Sequence, residues 1–362
     1  MEILSGVGGL LLIAVILWDG FETIILPRRV TRQFRPTELF YRATWMPWSA
    51  IAGRIRNEKQ RQNLIGYFGP LSLIMLVGVW ATSLIVGFAL LQWALGSQFA
   101  APEGKASFAT DLYVSGTTFF TLGLGDVTPR SGLARFLTVV ESGVGFGFLA
   151  LIISYLPALT SAFSQREVNV SLLDEWAGSP PTALELLRRN SGKGQASAVE
   201  QFLRDWERWS AELMESHLSY PVLAYFRSQH ENQSWVAALA MVLDLCALVL
   251  VGIDGVPISA ARRTFAMARH AAVDLTQVFN APPRTPESDR LPSSELVRLR
   301  GRLAAAEIHL REGADADQRL TELRQMYEPY LNALAAHLLV SLPSWIPALE
   351  RLDNWQTTAW ES

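Results

Sequence analysis

The sequence predicts an all-α membrane protein: three transmembrane helices, a re-entrant half-helix and loop inserted before the third, and a helical cytoplasmic domain. Three observations predict it. Apolar runs of about the length that spans a bilayer core lie at residues 3–26, 70–95 and 133–155. A polar, glycine-spaced stretch at 117–126 stands between the last two runs, where irregular backbone is tolerated only if it is buried in protein or lines a watery path. From about Ser164 onward the chain turns charged and shows helical spacing of its apolar residues.

At 362 residues the chain has room for two or three units. Its 50% hydrophobic content and net charge of -3 average over sharply segregated segments, so the balance gives no general reason to expect a nucleic-acid partner. The single cysteine, Cys246, excludes a disulfide framework and a cysteine zinc site. The expected divisions are residues 1–64, a first helix with a basic amphipathic linker; 65–163, the re-entrant module; and 164–362, the cytoplasmic helical domain.

The first run is read as a retained helix. It has no basic segment before it and no small-residue cleavage site, and it ends in Asp19, Glu22 and Pro27. Asp19 and Glu22 are expected to form an interfacial ion pair with Arg28 or Arg29. Across 28–61, Arg28, Arg29, Arg32, Arg35, Arg42, Arg54, Arg56, Lys59 and Arg61 face only Glu38 and Glu58, which marks the segment as cytoplasmic and puts the N-terminus outside. With Phe34, Phe40, Tyr41, Trp45, Met46, Trp48 and Ile51 it predicts a helix lying along the inner membrane face, aromatics at headgroup level and bases near anionic lipid. The second span, 70–95, leads to a short external loop at 98–107. Residues 108–120, too short to cross and carrying Ser115, Thr117 and Thr118, predict a half-helix whose negative end faces the membrane centre.

Gly123 and Gly125 sit at the alternate spacing that lets successive carbonyls point one way, because glycine leaves the ordinary backbone regions without a Cβ clash. Such carbonyls replace the water around a cation. Thr121 adds a hydroxyl at the inner mouth, and Asp126 is placed to hydrogen-bond behind the loop. The pattern Thr118-x-x-Thr121-x-Gly123-x-Gly125-Asp126 resembles the signature of potassium-channel pore loops, over about residues 108–160.

The resemblance implies a selectivity filter of Thr121, Leu122, Gly123, Leu124 and Gly125, with K+ held at Thr121, Leu122, Gly123 and Leu124. Thr117, Thr118, Asp126 and Glu141 would support it. One loop per chain implies a homotetramer, K+ as permeant ion rather than cofactor, and a compact prokaryotic-type channel of the inner cell membrane. Most of the family carries Tyr or Phe where Leu124 stands, an aromatic that packs against the pore helix and fixes the filter's width; some members carry Leu. A weakly selective cation pore is therefore one alternative reading, and a non-conducting membrane sensor or scaffold is the other.

In the third span, by resemblance the pore-lining inner helix, Gly145 matches the family's hinge position, with close helix packing as the competing account. Phe146, Leu149 and Ile153 share one helix face, which the family register turns to the cavity, and Pro157 is expected to end or kink the helix. Glu141, an acid at mid-depth, is expected to hydrogen-bond Thr117 or Ser142 and steady the filter, with its ionisation as a route from pH to conduction.

In the cytoplasmic domain helices are expected at 198–218, 234–251, 259–279, 293–312 and 317–339, with 235–251 as the domain's core rather than a fourth span. Spanning there would export Arg262, Arg263 and Arg269 and leave Asp244 in lipid. No nucleotide-binding G-x-G-x-x-G occurs, Gly192-Lys193-Gly194 reads as a turn, and His217, His230, His270, His309 and His337 show no metal-ligand spacing. Trp206 and Trp209 read as a packing face. No helix carries Arg or Lys at every third residue, so voltage sensing is not expected, and no acid, base and nucleophile group assembles into an enzyme site. The domain's ligand is left unassigned.

Overall fold

A computed structural model describes residues 2–26, 35–102, 104–192, 194–229, 232–253, 255–286, 288–347 and 353–356. Pro27, Arg28, Arg29, Arg32, Phe34, Lys193 and His230, which figure in the expectations above, lie outside them. The chain divides into two compact units, Met1–Thr160 and Ser161–Ser362. Among the described residues four helices are long and apolar enough to cross a membrane.

In the first unit, α1 (Glu2–Gly20) widens into one π turn at Phe21–Ile25. After α2 (Pro36–Gly53) comes α3 (Glu58–Ala94). The second apolar run is thus the inner part of a helix of 37 residues that starts twelve residues before Pro70. Asn57 explains the early start, since its side chain accepts from the backbone N–H of Gln60 and caps the helix. Pro70 interrupts only its own donor, which a helix of this length absorbs.

α1 and α3 meet at two glycines. A Cβ on Gly9 would lie 2.6 Å from the Gly87 carbonyl oxygen, so the absence of side chains there sets the helix separation. Around that contact Ile13, Ile16, Leu76, Trp80, Leu84 and Phe88 form the unit's core.

The ion pair expected for Asp19 and Glu22 falls on Arg28 and Arg29, which lie outside the described residues, and Asp19 has other partners among the described ones. It is fully buried, and its carboxylate accepts from the Trp80 indole (2.9 Å), the Thr37 hydroxyl (2.5 Å) and the Thr37 backbone N–H (3.3 Å). Thr37 lies in the first turn of α2, so the acid meets the positive end of that helix and satisfies one of its orphan donors. Glu22 accepts from the Trp18 indole at 2.7 Å and has Arg35 at 3.9 Å. α2 likewise does not present all its aromatics outward. Trp45 is buried edge-on against Phe68 of α3, and the Trp48 indole donates to the Leu64 carbonyl, leaving Leu39, Met46 and Ile51 exposed.

The half-helix expected at 108–120 is α4 (Phe108–Phe119). Two short strands, β1 (Phe99–Ala100) and β2 (Thr128–Pro129), pair antiparallel on either side of it, an element outside the all-α expectation. The Arg130 N–H adds a bond to the Gln98 carbonyl. α5 (Gly132–Ala177) then runs 46 residues. Pro157 does not end it: proline forfeits one donor, and long helical stretches on both sides hold the geometry.

The second unit is helical. α6 (Ala183–Arg189) and α7 (Gln195–Ser219) are followed by a 3-10 turn at Pro221–Tyr225 and by α8 (Trp235–Gly252) and α9 (Ile258–Val278). The expected helix at 293–312 stops earlier, as α10 (Ser293–Ala305), because Glu307 turns left-handed and the Ile308 N–H closes back on the Leu303 carbonyl. The expected helix at 317–339 is two, α11 (Ala314–Gln325) and α12 (Glu328–Leu338). Pro329 has no N–H to continue from α11, and it disfavours helical backbone just before it.

α8 is almost wholly buried within this unit. Its one acid, Asp244, receives the Arg290 guanidinium through both oxygens (3.2 and 2.6 Å) and the Tyr327 hydroxyl at 2.6 Å. A carboxylate so enclosed is held by matched charge and hydrogen bonds, and removing one partner would leave the other uncompensated. Trp206 and Trp209 are buried, their rings 4.5 Å apart, as packing residues.

Candidate functional site

The site is the loop that follows α4. Phe108 opens the half-helix after Ser107, whose backbone N–H donates to the Thr110 hydroxyl. At its far end the helix closes in a Schellman turn: the Thr121 N–H donates to the Thr118 carbonyl (2.9 Å), and the Leu122 N–H to the Thr117 carbonyl (2.8 Å). Such a turn needs left-handed backbone at its penultimate position, and Thr121 supplies it with φ +57°. Gly123 (φ +55°) and Gly125 (φ +78°) repeat that conformation at every second residue. Positive φ thus falls at alternate residues, at both glycines that the spacing singled out and at Thr121. The sequence reading assigned Thr121 a hydroxyl role and did not anticipate its backbone role.

The outer end is tied to the half-helix. The Tyr113 hydroxyl donates to the Asp126 carboxylate at 2.9 Å, and the Arg135 guanidinium donates to the Pro129 carbonyl at 3.2 Å. Behind the half-helix Glu141 of α5 is 1% exposed, and its partner is Ser115 rather than Thr117 or Ser142. Thr117 returns its hydroxyl to the Val114 carbonyl within its own helix, a common disposition for a helical threonine. The Ser115 hydroxyl also lies 2.8 Å from the Ile85 carbonyl, so one serine joins α3, α4 and α5. Tyr113 and Ser115 were legible only as polar positions on the half-helix. Their partners are thirteen and twenty-six residues away, and no local pattern names them.

Gly145 lies where α5 crosses the end of α4. A Cβ there would sit 2.1 Å from the Phe119 carbonyl oxygen, whereas Gly143 and Gly147 face open space. Close approach therefore accounts for Gly145 without a hinge. Phe146, Leu149 and Ile153 are exposed along one side of α5. Leu122 and Leu124 are also exposed, at 61% and 62%. Among the described residues no group of three or more His, Cys, Asp or Glu side chains is disposed to hold a metal ion.

Apolar helices long enough to cross a membrane, a short helix between two of them and a following loop with positive φ at alternate residues fit an ion-channel type of membrane protein. Residues 74–161 match the family model described as Ion channel, and that segment is a member of the potassium-channel pore-loop superfamily. The chain is similar, at 23% identity over 187 residues, to the Uncharacterized membrane protein YdjJ of Bacillus subtilis (strain 168), an alignment covering 51% of this chain and 54% of that protein. It is also similar, at 32% identity over 85 residues, to Protein LctB of Bacillus caldotenax, covering 21% of this chain and 63% of that protein. The chain thus spans between half and two thirds of the length of these relatives. No solved structure matches it.

Proposed function

We propose that the protein is a potassium-selective channel in which four chains each contribute one loop to a ring of backbone carbonyls around a dehydrated ion. The observation that carries this reading is the positive φ at Thr121, Gly123 and Gly125, which supports a row of backbone carbonyls at Thr121, Leu122, Gly123 and Leu124 as the cation site. An exposed irregular loop has no place in hydrocarbon, so further copies of the chain cover it. Tyr113–Asp126 and Ser115–Glu141 brace the loop from outside and behind. In this reading α1, α3 and α5 cross the membrane and α8 does not. Residues 28–61 and the second unit are cytoplasmic, the N-terminus lies outside, and Phe146, Leu149 and Ile153 line the cavity. The second unit gates the pore through α5, whose last residues belong to it.

A weakly selective cation pore is the second reading, and one observation favours it. Leu124 offers no hydroxyl, and the nearby phenol of Tyr113 is engaged by Asp126, so the filter's width rests on fewer polar ties.

Ion flux through purified protein in liposomes, with reversal potentials in mixed K+ and Na+, separates the readings. Strong K+ preference supports the first and equal permeation the second, while no flux at all leaves a non-conducting sensor or scaffold. Gly123→Ala is the diagnostic variant. No atom stands within 4 Å of the added Cβ, so its effect is conformational, a cost of roughly 1–2 kcal/mol in each chain for a left-handed L-residue. Selective flux is expected to fall by about tenfold or more.

A further inference from the structure

The last turn of α5 is closed by residues from the far end of the chain. Asp174, buried in that turn, accepts from the Ser179 hydroxyl and from the backbone N–H groups of Asn354 (3.3 Å) and Trp355 (3.0 Å). Those N–H groups open the 3-10 turn Asn354–Gln356, so the α5 acid caps it. Arg189 of α6 completes the junction. Its Nη1 donates to the Glu175 carbonyl at 2.9 Å and to the Asp174 carbonyl at 3.1 Å, which also accepts the Gly178 N–H, while Nη1 and Nη2 together grip the Asp353 carboxylate at 2.7 and 3.0 Å.

The Asn354 amide donates to the Ser179 hydroxyl at 3.1 Å. Gly178 makes room for the grip: its φ is +80°, and a Cβ there would lie 3.3 Å from Arg189 Nη2. Hydrogen bonds and an ion pair join residues 353–356 to other described residues. Trp355, the segment's one large apolar side chain, is 65% exposed.

We propose that residues 353–356 are a detachable strap on the end of α5, and that its docking restrains channel opening. This rests on the reading of α5 as the pore-lining helix. Hydrogen bonds and one ion pair, each exchangeable for water at small net cost, suit a contact that opens and recloses without unfolding the helices around it. Undocking strips Asp174 of two donors and Arg189 of its carboxylate, and the last turn of α5 loses its external closure. A helix whose end is pinned resists displacement, so release favours the moved, conducting arrangement.

The test uses the full-length protein reconstituted in K+-loaded liposomes and planar bilayers, with hydrogen exchange read over residues 171–177. Asp353→Asn, and a chain ending at residue 352, should raise exchange in that turn and increase open probability about three- to tenfold. Asp353→Arg should do the same, whereas Asp353→Glu, which keeps a carboxylate for Arg189, should leave both readouts near the parent. Faster exchange at 171–177 with unchanged or lower open probability sinks the proposal, as does unchanged exchange in every variant. An absence of K+ flux from the unaltered protein overturns the channel reading instead, and the exchange measurement still decides whether the strap holds α5.

Discussion

Thr121 carries a conformational cost that its neighbours avoid. A β-branched residue at φ +57° is held there by the bonds of its own turn, Thr121 N–H to Thr118 and Leu122 N–H to Thr117. Glycine would take the same backbone freely, so retention of threonine assigns value to the hydroxyl rather than to the fold. Thr121→Gly is expected to raise the thermal stability of the assembled protein by about 1 kcal/mol per chain while lowering K+ preference over Na+. Paired reversal-potential and unfolding measurements check it, and a variant that gains no stability would show that the turn imposes no strain. Gly123 and Gly125 were legible because an alternating pair of glycines is a local pattern. Thr121's backbone role was not, because a side chain with a plausible chemical use hides a conformational one. The described donors to Asp19 were not legible either: Thr37 and Trp80 come from helices that only packing brings together.

Helices reveal their apolar cores more readily than their ends. The three long runs were placed by hydrophobic length, yet α3 and α5 extend well past them, since polar helical turns beyond the apolar stretch carry no length signal of their own. Proline was expected to end or kink α5 at Pro157, where the helix continues, and was overlooked at Pro329, where one expected helix divides into two. The crossing of α4 and α5 turns on Gly145, and here the two accounts of that glycine part. A hinge residue tolerates alanine with altered gating and an intact fold. A contact residue does not, because the methyl group would occupy the space of the Phe119 carbonyl oxygen, 2.1 Å away. Gly145→Ala is therefore expected to destabilise the protein by about 1–3 kcal/mol through forced separation of the two helices. Gly143→Ala and Gly147→Ala, which meet open space, should be neutral or stabilising by up to roughly 1 kcal/mol. Thermal midpoints of the three variants in one detergent decide the matter, and equal effects at all three positions would remove the contact account.

At the scale of the molecule, the segregation of apolar and charged sequence reads out directly as two units with different means of cohesion. The first packs apolar helices closely at Gly9, Gly87 and Gly145; the second buries ionisable groups around α8 and must satisfy each of them. Which partners do so was beyond the sequence, because Arg290 and Tyr327 reach Asp244 from 46 and 83 residues away. Two histidines of the second unit make the consequence measurable. His217 is fully buried, 3.3 Å from an Arg166 guanidinium nitrogen and 2.8 Å from the Leu213 carbonyl. Burial, reinforced by that guanidinium, lowers its pKa to about 3. His337 stacks on Phe279 and meets the Tyr225 hydroxyl, and burial lowers its pKa to about 4. In the unfolded chain both rings take up a proton near pH 6.5, which the folded unit refuses until the pH is far lower. The unfolded state thus binds more protons across that interval, and stability falls as the medium is acidified. Above about pH 7 the histidines contribute no pH dependence. Between pH 6 and pH 4 each should remove roughly 1 kcal/mol per pH unit, the slope of His337 falling off as the pH nears its folded value. Unfolding of the full-length protein in detergent, followed by hydrogen exchange within α7 and α12 as a function of pH, should show that slope. His337→Phe, which keeps the stack on Phe279, should reduce it by about one histidine's share. A slope unchanged in that variant would mean that His337 is already protonated in the folded unit, and that its ring is not the buried neutral group described above.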